Sequence, residues 1–112
     1  MLIQQDDFSI EILPDEKKVT ITGTMRLSSP LAYEEFFSGI TNLISTADHI
    51  TIDISKLEFL NSSGLTSLGR LFMQAKGKNI SGKVIASKEI PWHQRSIVSI
   101  SKLWANLEVV II

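Results

Sequence analysis

Ile52-Asp53-Ile54-Ser55-Lys56-Leu57-Glu58-Phe59-Leu60-Asn61-Ser62-Ser63-Gly64-Leu65 is the stretch on which the fold turns. Ile50, Ile52 and Ile54 alternate with Thr51 and Asp53, the period-2 pattern of a strand with one buried face. Leu57, Phe59 and Leu60 extend the apolar run up to Asn61-Ser62-Ser63-Gly64. Beyond that turn Leu65, Leu68, Phe72 and Ala75, with Leu71 alongside, lie on one helical stripe. Lys76-Gly77-Lys78 closes the stripe with positive charge and a glycine, as a helix C-terminus favours. The segment therefore reads strand, tight turn, helix.

The same grammar extends in both directions. Upstream, Phe8, Ile10 and Ile12 alternate with Ser9 and Glu11, and Pro14-Asp15-Glu16-Lys17 is polar turn chemistry. Val19 and Ile21 alternate with Thr20 and Thr22 until Gly23, completing a hairpin. Ser28-Ser29-Pro30 sets a serine N-cap before a proline at N1, where its missing N–H costs nothing. Tyr33, Phe36, Phe37, Ile40, Leu43, Ile44 and Ala47 then follow at helical spacing. Downstream, Val84-Ile85-Ala86 is a short buried strand. Ile90-Pro91 opens a third helix with apolar positions at Ile97, Val98, Ile100 and Leu103, and Leu107, Val109 and Ile111 form a last strand. The order ββαβαβαβ implies crossovers, so an α/β fold: a mostly parallel sheet of about five strands with helices packed on it.

Composition sets the outer limits. A chain of 112 residues with 44% hydrophobic and 21% charged residues is one domain, 1–112, and not a disordered tail. A folded chain of this size exposes about 6,200 Å², roughly a third of its extended surface. No cysteine is present, which excludes disulfides, thiolate metal sites and cysteine nucleophiles. The net charge of −1 predicts no nucleic-acid footprint. His49 and His93 stand far apart without a ligand-spaced partner, so no metal site is expected. No apolar run reaches the length of a membrane span, and the first residues lack the basic and apolar regions of a signal peptide. A cytoplasmic protein without membrane insertion is expected. Trp92 and Trp104 are expected to be half-buried packing anchors.

The candidate chemistry narrows to the turn. GxxxxGK[ST] and GxGxxG are both absent, so no cofactor is expected. A hydrolase elbow needs GxSxG between strand and helix, and Leu60-Asn61-Ser62-Ser63-Gly64-Leu65 lacks the first glycine. A small serine hydrolase using Ser63 therefore stands only as a remote alternative. It requires His49 or His93, with Asp53, to be brought within reach, whereas both histidines read more simply as surface or capping residues. Asn61 and the serines are also good N-caps, and a glycine at a helix start allows close packing. One hydroxyl is nevertheless spare after capping, at a helix end whose free N–H groups and partial positive charge tolerate a phosphoryl group. Such a serine is a reversible charge switch.

These residues resemble the STAS domains, the sulfate-transporter and anti-sigma-factor-antagonist family. The family signature is a hydrophobic strand with an embedded Asp, a short turn, then Asp-Ser-Ser-Gly-Leu opening a helix, and Ile52 to Leu65 is similar to it. Val19-Thr20-Ile21-Thr22-Gly23 matches the second strand and Pro30 to Ile44 the first helix, so the resemblance spans nearly the whole chain. It implies an anti-sigma factor antagonist rather than an enzyme. By position, Ser63 is the implied phosphoacceptor, with Ser62 the alternative. The implied partners are a serine kinase that is also the anti-sigma factor, bound by the unmodified form, and a serine phosphatase that resets the switch. The implied partner-binding patch is Asn61, Ser62, Gly64 and Leu65 with the loop Met25, Arg26, Leu27 and Ser28. The alternative within the same fold is an unphosphorylated structural subunit of a transport or signalling complex. Two positions depart from the family pattern: Asn61 stands where Asp is usual, and Gly23-Thr24-Met25-Arg26 replaces Gly-Glu-Ile-Asp. A partner that expects an anion at position 26 would reject this chain.

Overall fold

A computed structural model describes all residues, Met1–Ile112. The alternating segments form one sheet of six strands in sequence order: β1 (Leu2–Gln4), β2 (Phe8–Leu13), β3 (Lys18–Met25), β4 (His49–Leu60), β5 (Ser81–Ala86) and β6 (Leu107–Ile111). β1, β2 and β3 pair antiparallel, and β3 through β6 pair parallel. The sheet is thus α/β and mostly parallel as expected, with one strand more than the sequence pattern shows. That strand, β1, is three residues at the sheet edge, too short to display alternation.

Helices α1 (Pro30–Thr46) and α2 (Ser62–Gly77) and the helical stretch after β5 fill the three parallel crossovers. Right-handed crossovers that all step the same way across a sheet set their helices on the same face. Twenty-five apolar residues pack between that face and the helices, among them Ile10, Ile21, Ile52, Val84, Tyr33 and Phe72. The opposite face carries no helix, and Glu11, Thr20, Asp53, Ile85 and Val110 form a row across it. Alternation between apolar and polar residues along the strands is the imprint of this one-sided burial.

Several local expectations change. β3 does not stop at Gly23 but runs through it to Met25. Gly23 has φ +95°, and a Cβ there would overlap the Asp7 carbonyl, so only glycine lets β2's start approach so closely. At the C-terminus of α2 the left-handed residue is Asn79 (φ 58°) rather than Gly77, and Ile80 N–H reaches back to the Ala75 carbonyl. The third helix spans Pro91 to α3 (Val98–Ser101), but its middle, His93–Ile97, is π-wound, with His93 and Ile97 both facing inward. Trp104 is fully buried, its indole N–H bonded to the Ile80 carbonyl at 2.9 Å and its ring lying over Gly82.

Candidate functional site

β4 builds the site. It is twelve residues long against eight in β3: His49 and Ile50 precede the first pair, Lys18–Thr51, and two register shifts absorb the rest. Thr20 pairs Asp53 but Thr22 pairs Lys56; Gly23 pairs Leu57 but Thr24 pairs Phe59. Each shift is a bulge that turns the residue after it outward. The first is braced by Asp53, whose Oδ1 accepts from the Ser55 N–H at 2.9 Å and the Ser55 hydroxyl at 2.7 Å. The second leaves Phe59, which alternation counted on from buried Leu57 would turn inward, 40% exposed, and so restores the phase of Ile50, Ile52 and Ile54.

β4 also outruns β5, whose pairing ends at Asp53–Ile85. The carbonyls beyond that point need other donors. His93 Nε2 donates to the Leu57 carbonyl at 2.9 Å, and Trp92 Nε1 to the Glu58 carbonyl at 2.9 Å. His93 Nδ1 accepts from the Ser87 N–H at 2.9 Å, which fixes the neutral Nε2–H tautomer. Burial holds the His93 imidazole below its ordinary pKa, against the pull of the Leu57 carbonyl. His93 is therefore a buried brace and not the surface or capping residue its sequence context suggests.

The strand then delivers Asn61 as the N-cap of α2. Asn61 Oδ1 accepts from the Gly64 N–H at 3.0 Å and from the Tyr33 hydroxyl at 2.6 Å, while Nδ2 donates to the Leu27 carbonyl at 2.9 Å. The Tyr33 oxygen also lies 3.0 Å from the Met25 carbonyl and accepts from the Leu27 N–H at 3.3 Å. Burial raises the Tyr33 pKa, so the hydroxyl keeps its proton. This network ties the loop after β3 to the start of α2. The segments 25–28 and 61–65, 33 residues apart at their nearest positions, are one surface at the C-terminal ends of the parallel strands. Ligands of open α/β sheets bind at that end.

Within this surface the expected residues divide. Arg26, Ser28 and Ser62 are exposed; Leu27, Asn61, Ser63 and Leu65 are half-buried. Met25 and Gly64 are buried, so they shape the patch from beneath and present no side chain to a partner. A Cβ on Gly64 would overlap Leu60 and sit 2.8 Å from the Tyr33 oxygen, which is why the helix start needs glycine. The Ser63 hydroxyl makes no hydrogen bond within the protein and is not sealed from solvent. It has no imidazole beside it: both His93 nitrogens are engaged, and His49, bonded to Ser81 at 2.7 Å, begins β4 at the opposite end of the sheet. The arrangement a Ser63 hydrolase requires is not built.

Three features of the site lay outside the sequence reading. The Arg26 guanidinium lies over the Phe59 ring, 4.8 Å from its centroid. Trp92 stands against the bulge as described. Further along α2, a groove of about 380 Å³ separates it from α1; Ser67 lies on its floor with a buried hydroxyl that has no partner, and the Arg70–Glu34 ion pair (3.3 Å) borders it. An apolar ring at Phe59, on the outward phase of the Ile50, Ile52 and Ile54 alternation, is the one sequence signal that marks the first of these.

No family model and no curated protein matches the chain. Solved structures do. A chain in the crystal structure of the diguanylate cyclase SiaD in complex with its activator SiaC, from Pseudomonas aeruginosa, superposes with a TM-score of 0.74 at 10% identity, over 100% of this chain and 99% of that one. SiaC of the same organism gives 0.71 at 11% identity, over 100% and 96%. An anti-sigma factor antagonist from Mycobacterium paratuberculosis gives 0.55 at 18% identity, over 96% and 82%. The fold is STAS-like. At these identities the likeness establishes the STAS-like architecture and leaves the site to be argued from its own residues. No helix is long and apolar enough to cross a membrane.

Proposed function

We propose that this chain is a non-enzymatic regulatory module that binds a partner protein through the α2 N-terminus and the β3–α1 loop, and that phosphorylation of Ser63 switches the binding off. The observation that carries the reading is the Ser63 hydroxyl itself, unbonded and not sealed from solvent in the first turn of a helix whose N-cap is already satisfied by Asn61. Phosphorylation there need not break the cap. A phosphate carries about −1.5 to −2 charges. At about 6 Å from one partner anion and an effective dielectric near 20 it costs about 4–5 kcal/mol, some three decades of affinity.

The likeness to an anti-sigma factor antagonist supports a cytoplasmic serine kinase of the anti-sigma type as the partner, with a serine phosphatase as its counterweight. The higher and more complete superposition on SiaC, the activator in the SiaD complex, supports a second reading in which the partner is an enzyme that the module activates. Both readings use the same face. Co-purification from the native cell, followed by intact-mass measurement after incubation with the retained kinase and Mg-ATP, tests the switch. One phosphoryl group is expected on the natural chain and none on Ser63→Ala. Ser63→Asp is expected to weaken partner binding. Full labelling of Ser63→Ala, or unchanged affinity of Ser63→Asp, would remove Ser63 from the mechanism.

A further inference from the structure

Arg26, just past the end of β3, and Phe59, near the end of β4, form a cation–π pair. A large apolar ring standing 40% exposed is placed there by the second bulge of β4, and the bulge is held by two side chains, His93 and Trp92, bonded to the carbonyls of Leu57 and Glu58. The ring's outward setting is therefore built into the strand. Over it lies Arg26, exposed and in no ion pair; the two ion pairs of the protein, Lys17–Asp48 and Arg70–Glu34, are elsewhere. A guanidinium held over an aromatic face by its π cloud keeps its N–H groups free for an anion. That geometry matches a carboxylate and loses little further freedom on binding. Arginine and aromatic side chains are also the residues that dominate protein–protein binding energies.

We propose that Arg26 and Phe59 are the anchor for an acidic segment of the partner protein, in which an Asp or Glu enters the Arg26 fork and a flanking apolar side chain covers Phe59. The inference rests on the partner-binding reading above and adds the chemistry of the partner: acidic opposite Arg26. It also gives the specificity a direction, because a partner with a basic residue at that point meets like charge.

The test uses the full chain in its native cell with a benzophenone amino acid in place of Phe59, a position exposed enough to accept it, and a second chain carrying it in place of Ser62. The expected result is one protein adduct at position 59 whose cross-linked peptide contains Asp or Glu. With that partner purified, Arg26→Glu should weaken binding about 30-fold or more. Arg26→Lys should fall between the two, and reversing the partner's acidic residue to Arg should restore binding to Arg26→Glu. An adduct at position 62 without one at 59 overturns the anchor and leaves the partner-binding reading standing. So does a cross-linked peptide without an acidic residue, or an Arg26→Glu chain that binds as well as the natural one. An adduct at 59 whose affinity ignores Ser63 phosphorylation sustains the anchor and refutes the switch.

Discussion

Asn61→Asp is the most discriminating single change, because it restores the residue usual in the STAS pattern and the structure says it does not fit here. The carboxylate keeps what Oδ1 does now: it accepts from the Gly64 N–H and from the Tyr33 hydroxyl. Asp and Asn are comparable as N-caps, so the cap itself is conserved. The Tyr33 bond becomes charge-assisted and strengthens. What is lost is the Nδ2 donor to the Leu27 carbonyl, 2.9 Å away, and in its place an anionic oxygen faces a carbonyl oxygen. Removing one partner of a part-buried hydrogen bond costs about 1–3 kcal/mol, and the gain at Tyr33 offsets less than 1 kcal/mol of it. The net expectation is a loss of about 1 kcal/mol. For a domain of this size that lowers Tm by about 4 °C and the urea midpoint by somewhat under 1 M. Trp92 and Trp104 provide the fluorescence signal for the unfolding curve. Asn61→Ala, which loses the cap as well, should fall below Asn61→Asp. An Asn61→Asp chain as stable as the natural one would refute the claim that the carboxamide holds the 25–28 loop against α2.

The remaining predictions address other parts of the molecule. His93 is held neutral by burial, so its folded pKa lies below its unfolded one; stability is then full above about pH 6.5 and declines as pH falls below it, because only the unfolded chain takes up the proton. Urea midpoints at descending pH should show that decline in the natural chain and much less of it in His93→Gln. Gly82→Ala sets a Cβ into the Trp104 ring and should cost about 1–3 kcal/mol, with a shifted Trp104 emission; unchanged emission and stability would contradict the packing. Tyr33→Phe removes a hydroxyl that serves Asn61, Met25 and Leu27, and should speed amide exchange at residue 27 while leaving the far end of the sheet unaffected.

The sequence made the strands, the two long helices and the helix start at Asn61 legible because each rests on local periodicity or cap chemistry. Ser29 and Pro30 open α1 as their residue types dictate, the Ser29 hydroxyl accepting from the Ala32 N–H at 3.2 Å. What was illegible depends on pairing between distant segments. β1 exists only because β2 offers it an edge, with Met1 and Ile12 exchanging backbone bonds. The inward turn of Leu57, an odd position among buried Ile50, Ile52, Ile54 and Leu60, depends on the register of β3 against β4, which alternation in β4 alone does not encode. His93 looked like a surface residue because its two acceptor and donor partners, Leu57 and Ser87, lie 36 and 6 positions away. The union of 25–28 with 61–65 likewise required Tyr33, whose place on the α1 stripe identified it as core and said nothing of its hydroxyl.

The rim of the sheet follows one rule throughout. A bulged strand that outruns its neighbour leaves backbone groups the ladder cannot pair, and each costs energy if it stays unpaired. Here Leu27, Leu57 and Glu58 carbonyls are each met by a single side chain from a neighbouring segment: Asn61, His93 and Trp92. The same three residues thereby fix the loop carrying Arg26, the bulge that exposes Phe59, and the first turn carrying Ser63. Rigidity of the proposed partner face and satisfaction of the irregular backbone are one property. Substitutions at His93 and Trp92 should consequently be non-additive, since both hold the same two-residue bulge, whereas Asn61 and His93, which hold separate carbonyls, should combine additively. A double-mutant cycle in urea that found the reverse pattern would show that the bulge and the cap are not independent supports of this surface.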